Sequence, residues 1–345
     1  MFNISIIIPC YNVSQYIDRC LTSIVNQTIG VETLQIICVD DASTDDTWQY
    51  LQVWEQKYPD NIILIHLDTN SRQGTARNIG MQYVTAPYVS FIDSDDWIEP
   101  DYYEIMYSYA KGLDCDVVCC AYERDSSESL SFLSNRDTEF STRYLVVDTI
   151  EKRKIFIANQ SMSYVPVTKL IRTYLLTDNN IFFAENIAYE DHLWCSLIHL
   201  YAESVMIVEL KLYHYFKNPT STVLLRNSNY HIDWLTAMLY KWKEWKIRNF
   251  FELYRAELEY EFLNTLYLGF IQTLIIRYDN PSYSLYLLLR EITLEHIPDY
   301  ASNPYIEEGL SEFQQLLLSA LSNTLNRKEF NLLVQNARIY LAIHR

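Results

Sequence analysis

The sequence predicts an α/β protein with a mostly parallel central sheet flanked by helices, followed by a helical C-terminal domain. Three observations predict this. Apolar runs alternate with helix-patterned stretches through the first third of the chain, and each apolar run ends in polar residues. From about residue 228 the strand-like runs give way to leucine, tyrosine and charged residues at helical spacing. The first strand is read at 4–8, an isoleucine-rich run of the kind buried on both faces, ended by Pro9. Ile17, Leu21, Ile24 and Val25 then carry helical spacing over 16–25. A second strand at 34–39 breaks into Asp40-Asp41-Ala42-Ser43-Thr44-Asp45, whose end caps a helix over 47–58. A strand at 62–67, a helix at 74–84 and a strand at 88–92 complete the pattern. In such a sheet the crossovers are right-handed and ligands sit beyond the carboxyl ends of the strands. Those ends carry Tyr11 and Asn12, then Asp40 and Asp41, then the acids of 93–96.

Further along, 116–122 reads as a buried strand, and 123–150, richer in Ser, Asp, Glu and Arg, as an exposed excursion. Mixed helix and strand return over 151–225, and 226–345 is helical with breaks at Pro281, Pro298 and Pro304. The expected domains are therefore 1–225, in halves 1–110 and 111–225, and 226–345.

Composition excludes several classes. Of 345 residues, 49% are hydrophobic and 21% charged, as in globular proteins with a real core. The formal net charge of −17 leaves no general affinity for nucleic acid, which needs a basic surface. Only 6 glycines argue against glycine-rich phosphate loops of the Walker type. The 7 cysteines are odd in number and sit mostly in apolar runs, so reduced thiols are expected rather than a disulfide framework. Cys115, Cys119 and Cys120 read as small hydrophobes of a strand, since zinc sites need spaced ligand pairs. The first basic residue is Arg19, so no secretory signal is expected. No uncharged run reaches the roughly 18 residues of a spanning helix, so a soluble protein, or one peripheral to a membrane, is expected.

The strongest chemical signal is Phe91-Ile92-Asp93-Ser94-Asp95-Asp96-Trp97. Alternating carboxylates that end a hydrophobic strand suit a hard divalent cation, which can in turn hold a diphosphate. A solvated acidic turn is the plain alternative, and the neighbours weigh against it. Asp40 and Asp41 end an adjacent strand, and Pro9-Cys10-Tyr11-Asn12 ends the first. Gly74-Thr75-Ala76-Arg77-Asn78-Ile79-Gly80 opens a helix whose amides and arginine suit an anionic diphosphate.

With these segments in this order and spacing, roughly residues 1–225 resemble the family 2 glycosyltransferases, with their GT-A fold. The matching residues are Ser5-Ile6-Ile7-Ile8-Pro9-Cys10-Tyr11-Asn12, Val39 through Asp45, the Gly74 to Gly80 segment, Asp93-Ser94-Asp95-Asp96, and Glu190-Asp191. The resemblance implies a nucleotide-sugar site formed by Pro9, Tyr11, Asn12, Asp41, Arg77, Asn78, Asp93 and Ser94, with Tyr11 and Asp41 at the nucleobase. It implies Asp95, with Asp93, as ligands of Mn2+ or Mg2+. It makes Asp191 the base that deprotonates an acceptor hydroxyl, with Glu190 as the fallback. It makes 1–110 the nucleotide-sugar half and 111–225 the acceptor half. The implied activity is inverting transfer from a UDP-sugar to a glycan acceptor, lipid-linked or protein-linked, in a bacterial surface-glycan pathway on the cytoplasmic side. Ala42 departs from the family's usual glycine and is expected only to tighten its turn.

Other residues keep two readings. His214, after an alternating strand, is structural or a ligand of metal or diphosphate. Lys169 has no assigned role. Trp97 and Trp194 either stack on sugars or fill the core. Residues 218–222 form a polar loop that is a candidate cover for the donor. Lys241, Arg248 and Arg255 recur every seventh residue near Trp234 and Trp245, so 234–255 is read either as a lipid-docking face or as a packed helix with wetted cations. An oligomer is compatible with the sequence. Two rival functions remain. A nucleotidyltransferase would need a basic, glycine-rich loop near the N-terminus, and a catalytically silent binding module would not need Asp93, Asp95 and Asp191 intact.

Overall fold

A computed structural model describes residues 1–133, 140–219 and 221–344. The chain divides into two compact units, one of residues 1–153 and 162–219, the other of 154–161 and 220–345.

The first unit is built on a sheet of nine strands, β1 (Ile4–Cys10), β2 (Leu34–Asp40), β3 (Ile62–His66), β4 (Tyr88–Phe91), β5 (Trp97–Ile98), β6 (Val117–Asp125), β7 (Thr142–Val146), β8 (Lys169–Arg172) and β9 (Ser204–Phe216). The order is β3-β2-β1-β4-β8-β6-β9-β5, with β7 also on β9. The strands from β3 to β4 run parallel, as do β6 and β9. β8 lies antiparallel between β4 and β6. Every residue of β1 and β2 is buried, which is why these strands read as unbroken apolar runs rather than alternating ones. β1 reaches Cys10, so Pro9 lies inside the strand rather than ending it.

The helices α1 (Ile17–Val25), α2 (Thr47–Lys57), α3 (Arg72–Met81), α4 (Tyr102–Gly112), α5 (Ile150–Ala158), α6 (Thr173–Asp178) and α7 (Asp191–Tyr201) connect the strands. Ile6, Ile8, Ile17, Leu21, Ile36, Met106, Val118 and Leu212 form part of one core. Gly80 lets α3 lie against the sheet, since a Cβ there would come within 2.6 Å of Ile7. The winding reverses between β1 and β4, so the crevice expected of such a sheet opens where β1, β2 and β4 end.

The excursion expected at 123–150 is corrected. Its first residues extend β6, and 142–146 form β7, paired antiparallel with β9. β7 presents mostly exposed side chains, so its composition matches a loop although its backbone is paired. Residues 134–139 of that segment, and Thr220 of the polar loop at 218–222, lie outside the described residues.

The second unit is helical over α8 (Asp233–Ile247), α9 (Phe250–Leu253), α10 (Arg255–Phe262), α11 (Phe270–Arg277), α12 (Tyr283–His296), α13 (Pro304–Gly309), α14 (Glu312–Ser322) and α15 (Arg327–Ile343), with a π-helical turn at Leu263–Gly269. Ser311 and Asn326 cap α14 and α15 through reciprocal capping boxes. The lipid-docking stripe is corrected here. Lys241 is wholly buried and donates to Glu261 at 2.9 Å and Thr265 at 2.9 Å. Trp245 is also buried. α8 ends at Ile247, and Asn249 takes a left-handed conformation, so Arg255 belongs to a different helix. The seven-residue recurrence therefore marks no continuous face.

Candidate active site at the carboxyl edge of the sheet

β4 delivers the acids of 93–96 to the crevice, and a tight turn follows in which the Asp96 N–H donates to the Asp93 carbonyl at 3.0 Å. Asp93 remains partly exposed. Asp95 is partly buried and accepts from the Asn218 amide at 2.9 Å. Its pKa is raised by burial, an effect the Asn218 bond offsets and the Asp93 charge reinforces. Asp96 is fully buried, bonded by the Tyr213 hydroxyl at 2.5 Å and the Phe216 N–H at 2.7 Å. Burial, then the charges of Asp95 and Asp93, push its carboxyl well up. Three carboxyls thus crowd one turn, and among the described residues no cation is ion-paired to Asp95 or Asp96.

Among the described residues, no group of three or more His, Cys, Asp or Glu side chains is arranged to hold a metal alone. Asp95 and Asp93 nonetheless fit a hard cation shared with a substrate's phosphates, since magnesium-type sites use one or two carboxylates and leave the rest to phosphate and water.

The other wall comes from α3 and the turn into α7. Arg77, 1% exposed, donates to Glu190 at 2.6 Å and to Asp93 at 2.7 Å, with its guanidinium 5.1 Å from the centre of the Phe183 ring. Burial works to lower its pKa, and the charges of Asp93 and Glu190 overcome this and raise it. Asn78 is buried and pins the main chain of Phe183 in both directions, donating to its carbonyl and accepting from its N–H at 2.9 Å each. Arg77 and Asn78, expected along the cleft, thus join α3 to the acidic turn, to Glu190 and to the Phe183 main chain. Gly74 allows this approach, since a Cβ there would lie 2.7 Å from the Ala184 carbonyl.

Glu190 and Asp191 follow Tyr189, which is held at φ +63°, a conformation unfavourable for a bulky residue and kept where surrounding structure imposes it. Glu190 is wholly buried, and burial raises its pKa to about 7 against the pull of Arg77. Asp191 opens α7 and is only partly buried. Burial raises its pKa to about 6 despite Arg77 and main-chain N–H groups that lower it.

At the ends of β1 and β2, Tyr11 is exposed. Asn12 accepts from the Thr44 N–H at 2.7 Å, closing the loop after β2. Asp41 is buried and accepts from the Ser71 N–H at 2.7 Å at the entry to α3. Pro9 and Ser94 are buried. His214 is buried too, stacked on Trp97 at 4.8 Å, with its ring nitrogens 2.7 Å from Glu99 and 3.2 Å from Asp125. Its ring is therefore a strut beneath the acidic turn. Lys169 is buried and donates to the carbonyls of Ser163 at 2.8 Å and Val165 at 2.5 Å. Trp194 packs on Phe183 at 4.6 Å in the core.

Ala42 sits at φ +60°, so this position favours glycine for its backbone and not merely for space. Left-handed backbone costs an L-residue roughly 1–2 kcal/mol, and glycine's extra chain entropy returns roughly 0.5–1 kcal/mol of that. Ala42→Gly is expected to raise the stability of this unit by about 0.5–1 kcal/mol in urea denaturation.

A mixed sheet with its acids and a buried arginine clamp at one carboxyl edge defines a domain of GT-A type. Residues 5–176 match the model of the family described as glycosyl transferase family 2, and the chain belongs to that family through this segment. A Bacillus spizizenii poly(ribitol-phosphate) beta-glucosyltransferase is 30% identical over 214 residues, which span 61% of this chain and 32% of that protein. An Escherichia coli protein named uncharacterized glycosyltransferase YibD is 27% identical over 69% of this chain and 70% of its own length. The chain thus covers about a third of the first of these relatives. The crystal structure of Staphylococcus aureus TarS 1-349 in complex with UDP-GlcNAc matches with a TM-score of 0.55 at 20% identity, covering 93% of this chain and 80% of that one. That is a likeness of fold. No helix among the described residues is long and apolar enough to cross a membrane.

Sequence reasoning missed Arg19, the bond from Asn218 to Asp95, and the roles of Glu99 and Asp125. All four gain their places through contacts between residues far apart in the chain, for which no local pattern exists.

Proposed function

We propose that the protein transfers a sugar from a UDP-sugar to a hydroxyl of a glycan acceptor, with inversion at the anomeric carbon. The observation that supports this best is that Arg77 joins Asp93, on the acidic turn, to Glu190, beside Asp191. A donor-side acid and a base are thereby held in one rigid frame. Tyr11 and Asp41 would flank the nucleobase, with Asp93 and Ser94 toward the ribose. A divalent cation, Mn2+ or Mg2+, held by Asp95 beside Asp93, would supply positive charge to the departing diphosphate. Asp191 would accept the acceptor's proton during attack from the face opposite the leaving group. A carboxyl with a pKa of about 6 suits this work near neutral pH, being both ionised and basic enough. The name of the Bacillus spizizenii relative, a poly(ribitol-phosphate) glucosyltransferase, supports a polymer of that kind as acceptor, and the reading places the reaction on the cytoplasmic side.

The test is donor hydrolysis. With Mn2+ and a panel of UDP-, GDP- and dTDP-sugars, release of nucleotide from a UDP-sugar, lost in Asp95→Ala, is the expected result. Release from a GDP- or dTDP-sugar alone would overturn the UDP assignment. Absence of both release and UDP binding would favour the silent module.

The pH profile follows from Asp191. The base acts when ionised, so kcat/KM is expected to fall as pH drops through about 6, with about a tenfold loss per pH unit below it. A profile flat down to pH 5 would remove Asp191 from this role.

A further inference from the structure

α1 and the residues just after it run beneath the acidic turn and the segment that follows, joined to them rung by rung. Cys20 Sγ lies 3.8 Å from the Asp93 carbonyl. The Ile98 N–H donates to Ser23 Oγ at 3.3 Å. Gln27 donates to the Glu99 carbonyl at 2.7 Å and accepts from the Tyr103 N–H at 2.9 Å. Arg19 supplies the rung under Asp95, where one terminal nitrogen donates to the Asp95 carbonyl and the other to the Ser127 carbonyl, each at 2.6 Å.

This rung differs in kind from the others. Arg19 is 8% exposed, and a buried charge is costly unless paired. Both terminal nitrogens bond main-chain carbonyls, and Nε has no hydrogen-bond partner among the described residues. The guanidinium lies 4.0 Å from the centre of the Trp97 ring and 4.5 Å from that of Phe216. Trp97 in turn stacks on His214 and donates to the Ser131 carbonyl at 2.7 Å. Arg19, Trp97 and His214 form one column, and its charge stands behind Asp95 and Asp96, which carry no ion pair among the described residues. A glutamine or serine would satisfy one carbonyl at far lower desolvation cost. Two carbonyls from separate segments need the planar fork of arginine.

We propose that Arg19 is a positioning residue for the acidic turn. By holding the Asp95 main chain inward it presents the Asp95 carboxylate to a divalent cation, and by holding Ser127 it fixes the segment after β6 to the same point. This rests on the reading of Asp95 as a metal ligand.

The test is Mn2+ binding by electron paramagnetic resonance, with and without UDP, on the full chain. Arg19→Lys keeps the charge and loses the fork. It is expected to weaken Mn2+ affinity about tenfold to a hundredfold, the usual effect of losing support behind a ligand. Metal-free UDP binding should be unchanged. In an Asp95→Asn background, Arg19→Lys should add no further loss, because the two act through one interaction. A merely structural arginine would lower thermal stability and leave Mn2+ affinity untouched, and that result overturns the proposal. Additive losses with Asp95→Asn overturn it too. If Arg19→Lys fails to fold, Trp97→Phe takes its place. It removes the Ser131 bond and shrinks the ring under the guanidinium, and wild-type Mn2+ affinity in that variant overturns the proposal. If the wild-type protein binds no Mn2+ even with UDP, the metal reading fails and this inference with it. A wild-type protein that binds Mn2+ beside an unaffected Arg19→Lys sinks this inference alone.

Discussion

Asp191→Asn is expected to lower kcat by about a hundred- to ten-thousand-fold, the range for loss of a general base. Nucleotide and metal affinity should persist. Asparagine has the same shape and keeps the first position of α7, so the fold has no reason to change. The alternative base, Glu190, has a pKa of about 7, which alone would make it the better proton acceptor. Its geometry argues otherwise. It is wholly buried, with Oε1 bonded to Arg77, and so is withdrawn from solvent and committed to that ion pair. Asp191 is the partly exposed member of the pair. Single-turnover rates for Asp191→Asn and Glu190→Gln decide between them. A larger loss of the chemical step in Glu190→Gln, with Arg77 still bound, would reverse the assignment.

Arg77→Met is expected to destabilise the first unit by about 3–5 kcal/mol, the cost of removing one partner from a buried pair. Arg77 and Glu190 have side chains only 2% and 1% exposed, so solvent screens little of that loss. Asp93, at 30%, would recover by hydration, but Glu190 would be left as an uncompensated buried acid. The measurement is the urea midpoint of Arg77→Met against the double variant Arg77→Met with Glu190→Met. The double variant should be the more stable of the two, because an apolar pair replaces an unpaired charge. If it is less stable, the bridge is not what holds α3 to the turn before α7. Transfer should also fail in both variants, since the donor-side acid and the base lose their common frame.

The sequence was informative wherever function and fold use local patterns. β1 and β2 were legible because a strand buried on both faces must be apolar throughout, and the acids of 93–96 were legible because they interrupt such a run. Glu190 and Asp191 stood out only through the resemblance to the family's motifs. β7 was hidden because an edge strand carries loop-like polar residues. The stripe of Lys241, Arg248 and Arg255 misled because a heptad spacing assumes one unbroken helix, while the chain turns at Asn249. The buried Lys241 shows that a charge in a helical pattern need not face water when Glu261 waits opposite it.

The amino-acid order by itself determined the α/β class, the run of strands and helices through the first third, and which carboxylates end which strands, because these depend on periodicity and short-range punctuation. Only the tertiary structure decided what those groups do to one another. It tied Arg77 to Glu190 and Asp93, gave Asn78 to the Phe183 main chain, stacked His214 on Trp97, and set Arg19 beneath Asp95. Each of these roles depends on a desolvated contact between residues distant in sequence, and desolvation is a property of the packed interior that no local pattern encodes.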